Sequence, residues 1–166
     1  MRSAVSACML VSAVLAVGFP TAASAAEWVN GSYGSMPPPT ITPNGGYEAN
    51  GEPLFVCRAS MNGGMHPGKI RNGFNGCNIG YGGREETVVS YQVFTGHGRW
   101  TTAQFGAIPQ GMIQAGWEAN GQPLGVCRAQ WSDGVHPGKI RNGFSGCNIG
   151  YGGREITVNV YEVLTN

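Results

Sequence analysis

The sequence predicts an all-β fold, a compact antiparallel protein built from one unit used twice, and three observations carry that expectation. The stretch His66 to Glu85, HPGKIRNGFNGCNIGYGGRE, returns as His136 to Glu155 with one change in twenty positions, Asn75 against Ser145. At the same offset of seventy, Gly46 to Thr95 matches Gly116 to Thr165 at 36 of 50 positions. Twenty-eight glycines and ten prolines separate short apolar runs, a composition that opposes long helices and favours tight turns between strands. A duplication this close preserves folding and functional residues alike, so chemistry has to sort them.

The chain opens with an export signal: Arg2, an apolar run from Ala7 to Phe19, and a small-residue cleavage site at Ala23-Ser24-Ala25. The expected division is residues 1–25 as signal peptide, 26–95 as the first repeat and 96–166 as the second, the repeats sharing one globular domain. The apolar run falls short of the roughly 20 residues of a membrane helix, so membrane insertion is not expected and the mature chain should be secreted or periplasmic. Trp28 reads as a core anchor equivalent to Trp100, and Met36-Pro37-Pro38-Pro39 as an extended linker. Each unit then runs as a strand at Gly46 to Ala49, a hairpin turn at Asn50-Gly51, and a strand from Pro53 to Ala59. Pro67-Gly68 suits the centre of a type II turn, which would set Lys69 just past a bend. Cys77 to Tyr81 reads as a strand, Gly82-Gly83 as a turn, and Thr87 to Phe94 as the most β-prone segment.

Without residues 1–25 the chain holds nine basic and nine acidic residues and four cysteines. A neutral chain with no basic cluster has little to offer a phosphate backbone or an anionic membrane, so nucleic acid is not an expected partner. The separation of Cys57 from Cys77 repeats between Cys127 and Cys147. An oxidising compartment favours disulfides, and the pairings Cys57 with Cys77 and Cys127 with Cys147 are preferred, with crossed pairing open if the repeats exchange strands.

Lys69 and Lys139 are the only lysines, and they recur in register with Glu48 and Glu118. A carboxylate acceptor and an ammonium donor on one concave surface suit vicinal sugar hydroxyls, which both donate and accept. The plainer reading is a solvated turn lysine and an exposed acid whose neighbouring aromatic, Tyr47 or Trp117, faces the core. Arg58, Arg71, Arg84 and Glu85, with Arg128, Arg141, Arg154 and Glu155, read mainly as structural pairs. His66 and His136, each before Pro-Gly, read as turn caps. There is no CxxC pair for a metal, no cofactor motif, no GxSxG elbow and no recurring carboxylate pair that signals a glycosidase. An enzyme is therefore not expected.

A tryptophan, then GYE or GWE, LFVCRA or LGVCRA, HPGKI, GYGGRE and a closing Y-x-V together resemble the DM-nine (DM9) repeat family over nearly all of the mature chain. The resemblance implies a tandem-repeat lectin with a pseudo-two-fold axis, one mannose-type sugar site per repeat, and a homodimer as a common assembly. Related repeats also accompany pore-forming domains, so the alternative it implies is a toxin-associated interaction module. By resemblance the sugar-binding positions are Glu48 with Lys69 and Glu118 with Lys139. The acid here is glutamate where a mannose-binding member carries aspartate.

Overall fold

Each repeat lays down seven short strands in the same order. The computed structural model describes residues 27–39 and 43–166, and the export signal read in residues 1–25 lies outside them. The first repeat supplies β1 (Trp28–Ser32), β2 (Asn44–Tyr47), β3 (Pro53–Met61), β4 (Gly64–Ile70), β5 (Cys77–Tyr81), β6 (Arg84–Val88) and β7 (Ser90–Phe94). The second supplies β8 (Arg99–Gln104), β9 (Gln114–Trp117), β10 (Pro123–Trp131), β11 (Gly134–Ile140), β12 (Cys147–Tyr151), β13 (Arg154–Val158) and β14 (Val160–Thr165).

The Asn-Gly hairpin forms as its sequence requires. Gly51 adopts φ 84, the amide of Glu52 donates to Asn50 Oδ1 at 3.1 Å, and the Gly51 amide donates to the Glu48 carbonyl at 2.8 Å. Glu48 thereby becomes the first residue of the turn, its main chain fixed at both ends. Thr87 to Phe94 is two strands, not one, since β6 ends at Val88 and β7 begins at Ser90.

The two repeats trade strand pairings. β2 pairs with β11 through Tyr47 and Val135, and β9 pairs with β4 through Trp117 and Met65. On the pseudo-two-fold axis β6 meets β13 at Arg84 and Arg154. The antiparallel ladder runs from β2 through β11, β12, β13, β6 and β5 to β4, and β3 pairs with both β2 and β4, so the sheet closes on itself as a barrel.

This topology corrects the type II turn expected at Pro67-Gly68, because both residues lie inside β4. On one side β4 pairs with β3 throughout; on the other it pairs with β9 at Met65 and with β5 at Lys69. Pro67 sits where the second partner changes, a point at which a missing N–H leaves no ladder bond unmade. Gly68 follows because β5 passes so close that a side-chain carbon there would run into the Asn78 carbonyl. Pro137 and Gly138 do the same in β11, where the pairing changes from β2 to β12.

Disulfides join Cys57 to Cys77 and Cys127 to Cys147, each with Cα atoms 5.8 Å apart. All four half-cystines are fully buried in their repeat's own core beside Ile70 and Ile79, or Ile140 and Ile149. Each bridge closes a loop of about twenty residues and contributes roughly 3 kcal/mol by restricting the unfolded chain. A third cluster belongs to both repeats: Val56 and Phe94 pack with Ile113, Ala115, Val126 and Leu164, flanked by Trp28 and Trp100. Trp28 stands opposite Phe94 on β7 and Trp100 opposite Leu164 on β14, so the tryptophans are equivalent.

Candidate functional site

Lys69 projects from β4 into the seam between the repeats and is 3% exposed. Its Nζ lies 3.2 Å from Nδ1 of His136 and 3.7 Å from Oε1 of Glu85, with the Tyr151 ring 5.2 Å away. A lysine ammonium only donates, so Nδ1 of His136 is the acceptor and the imidazole proton sits on Nε2, which donates to the Trp131 carbonyl at 3.1 Å. His136 and Tyr151 come from the second repeat. The site of the first repeat's lysine is therefore composite.

Glu48 closes the other side. Its Oε1 accepts from Nε of Arg71 at 3.3 Å, and its Oε2 lies 3.9 Å from His136 Nδ1. Glu85 in turn reaches across the axis, where its Oε2 accepts from the amide of Gly153 at 3.1 Å. The structure thus gathers Glu48 and Lys69 into one cluster, bridged through His136. No direct contact within 4.0 Å joins the two among the described residues.

The second cluster gathers the equivalent residues with the repeats exchanged, except that no hydrogen bond joins Lys139 to His66, both of whose ring nitrogens are buried without a hydrogen-bond partner among the described residues. Lys139 lies 3.9 Å from Glu155 and 4.7 Å from the Tyr81 ring, and Glu118 accepts from Nε of Arg141 at 2.9 Å. His66 Nδ1 stands 4.0 Å from Glu118, and Glu155 accepts from the Gly83 amide at 2.9 Å.

Burial is the main force on the titrating groups. It holds both lysines below the ordinary range, opposed by Glu85 and Glu48 at Lys69 and by Glu155 and Glu118 at Lys139. It holds both histidines low as well, helped by Lys69 at His136 and by Lys139 at His66. Each cluster therefore sets an imidazole that burial favours in its neutral form beside a lysine, roofed by glutamates and an arginine. The roof is what solvent reaches: the side chains of Glu48 and Arg71 are 18% and 26% exposed. It presents fixed acceptors and donors side by side.

Several expectations change here. His66 and His136 are fully buried in strands and belong to the clusters, not to turn caps. Tyr47 and Trp117 are more open to solvent than the acids beside them, at 46% and 42%, because Glu48 and Glu118 lie past the strand ends, where the alternation of faces no longer applies. Arg71 and Arg141 are structural partners of the acids and part of the same exposed roof. Glu85, Glu155, Tyr81 and Tyr151 complete the clusters. All of these lie in or beside the near-identical twenty-residue block, which was the available signal; that the tyrosines and histidines would serve the opposite repeat's lysine, while Glu85 and Glu155 serve their own, was not.

The described residues contain no helix long and apolar enough to cross a membrane, and no group of three or more His, Cys, Asp or Glu arranged to hold a metal. Two disulfides fit an extracellular protein.

Fold and clusters together define a tandem-repeat all-β protein with two composite polar sites across an internal axis. The sequence profile of the DM9 repeat matches residues 13–88 and again 76–158, and the chain belongs to the DM9 repeat family. No curated protein matches it by sequence. Among solved structures, the nematode sperm cell motility protein MFP2B is similar over 84% of this chain, with a TM-score of 0.62 and 20% identity. The chain spans 45% of MFP2B, and at that identity the likeness shows the fold alone.

Proposed function

We propose that the chain is an exported carbohydrate-binding protein without catalytic activity, with two sites for mannose-type sugars centred on Glu48 with Lys69 and on Glu118 with Lys139. One observation carries this reading: the whole constellation of acid, lysine, arginine and trans-repeat histidine occurs twice, and in each copy the acid and the arginine keep an outer face in solvent. Those faces supply fixed acceptors and donors for two adjacent hydroxyls. A single shallow polar site binds weakly; two on one rigid body, or four in a homodimer, raise avidity on a glycan-coated surface wherever the spacing matches.

The test is a titration with mannose followed by calorimetry, alongside a glycan array. Wild type should bind mannose-type glycans, and Glu48→Gln combined with Glu118→Gln should lose that binding while keeping the same melting temperature to within a few degrees. Full binding by the double variant, or no glycan bound by wild type, rejects the proposal.

The 3% exposure of both lysines favours a second reading, in which the clusters are intrachain salt bridges of an interaction module. On that reading Lys69→Met with Lys139→Met changes stability, and glycan binding is absent throughout.

A further inference from the structure

The repeats are alike at their lysine clusters and differ in a pair of hollows elsewhere. One hollow, about 190 Å³, lies between β3 and β7 around Arg58; its symmetry mate, about 200 Å³, lies between β10 and β14 around Arg128. Of seven positions lining the first hollow between residues 58 and 92, four differ from their mates seventy residues on, against 14 of 50 over the compared repeat. The divergence has a direction. Ser60, Ser90 and Gln92 in the first hollow are replaced at the equivalent positions of the second by Gln130, Val160 and Glu162.

The exchange at Gln92 decides the charge. Arg128 donates through Nε to Oε2 of Glu162 at 2.6 Å, so its guanidinium is neutralised. Arg58 donates through Nε to the Gln92 amide oxygen at 2.8 Å and through Nη1 to the Ala115 carbonyl at 3.0 Å, both uncharged acceptors. Among the described residues no carboxylate lies within 4.0 Å of it, and residues 1–26 and 40–42 contain no acid that could supply one. The guanidinium is part-buried, stacked 4.0 Å over the Trp28 ring. Gln92 is oriented in turn by donating through Nε2 to Asn30 Oδ1 at 3.0 Å. From Arg58 the hollow continues past Asn30 and Ser90 into a second one of about 380 Å³ bordered by Ser32 and Ser35. A preorganised, unneutralised guanidinium at one end of a trough of hydroxyls and amides matches one ligand chemistry: an oxyanion carried on a polyhydroxylated molecule.

We infer that the Arg58 hollow is a binding site for the carboxylate or sulfate of an acidic sugar, present in the first repeat and abolished in the second by Glu162. It is separate from the lysine clusters and does not depend on them.

The two repeats provide the controls. Wild type is titrated with glucuronate, glucose and inorganic sulfate at constant ionic strength while backbone amide resonances are followed. Glucuronate should shift Asn30, Ser60 and Gln92, sulfate should compete for the same residues, and glucose should leave them unmoved. Gln92→Glu copies the arrangement that β10 and β14 already tolerate. It should weaken glucuronate at least tenfold and leave mannose binding unchanged, whereas Glu162→Gln should create a second set of shifts around Arg128. The inference is overturned if glucuronate moves nothing near Arg58, if Gln92→Glu binds as wild type does, or if glucose produces the same shifts.

Discussion

Lys69 and His136, sixty-seven residues apart in the chain, meet at 3.2 Å across the internal axis. An ammonium and an imidazole are compatible at that distance only while the imidazole is neutral, since a second proton would set two positive charges together in a buried seam. The arrangement makes the histidines the pH-sensitive part of the fold.

Both histidines have folded-state values below the ordinary 6.5, chiefly through burial and then through the facing lysine. Below pH about 6.5 the unfolded chain therefore binds more protons than the folded one, and stability falls with pH. It is fully present above that point and is lost progressively toward the folded-state values. Urea midpoints measured across pH 4.5 to 8 should decline below about 6.5, and His66→Gln with His136→Gln should flatten that decline between pH 5 and 6.5. An unchanged slope in the double variant rules the histidines out as its origin.

Removing one partner from a buried ion pair leaves the other charge uncompensated, at a typical cost of about 3 kcal/mol. Lys69→Ala strands Glu85, whose side chain is 12% exposed. The expected loss is about 2 to 3 kcal/mol, the lower figure because Glu85 keeps the Gly153 amide. Adding Glu85→Gln should recover at least 1 kcal/mol, read as the coupling energy of a double-mutant cycle by chemical denaturation.

Much of this architecture can be read from residue patterns. The duplication, the strand class, the Asn50-Gly51 hairpin and the two cysteine pairs follow from local chemistry, because each involves neighbours within one repeat. Pro67-Gly68 misleads for the opposite reason. The dipeptide fits a type II turn locally, but its use is set by a change of sheet partner involving β9, a strand from the other repeat. The same long-range origin hides His136 beside Lys69 and His66 beside Glu118. Within one repeat a histidine before proline looks like a cap; only the exchange of β2 and β9 brings it to the opposite site.

The axis itself has no spare room. A side-chain carbon at Gly150 would lie 2.9 Å from Glu85 Cγ and 3.1 Å from the Gly80 nitrogen, and one at Gly80 would lie 2.8 Å from the Ile149 carbonyl oxygen. Overpacking of this kind costs about 1 to 3 kcal/mol. Gly80→Ala and Gly150→Ala should each lower the thermal midpoint by several degrees. Gly152→Ala, with nothing within 4 Å but φ 59, tests backbone strain alone and should cost about 1 kcal/mol.

The last prediction concerns a single repeat. In the intact chain β2 covers the outer edge of β11 and β9 covers that of β4, and the residues that meet differ little, Tyr47 with Val135 and Trp117 with Met65. A chain of residues 96–166 alone carries both β9 and β11, so its edges are complementary to those of a second copy related by a two-fold axis. As a monomer it would leave the shared cluster around Ile113 and Val126 without Val56 and Phe94, and its own polar site would lack His66 and Tyr81 of the other repeat. The separated repeat should therefore sediment as a homodimer that dissociates and unfolds in one concentration-dependent step. A folded monomer at micromolar concentration would show that the exchanged pairings are not what holds each half together.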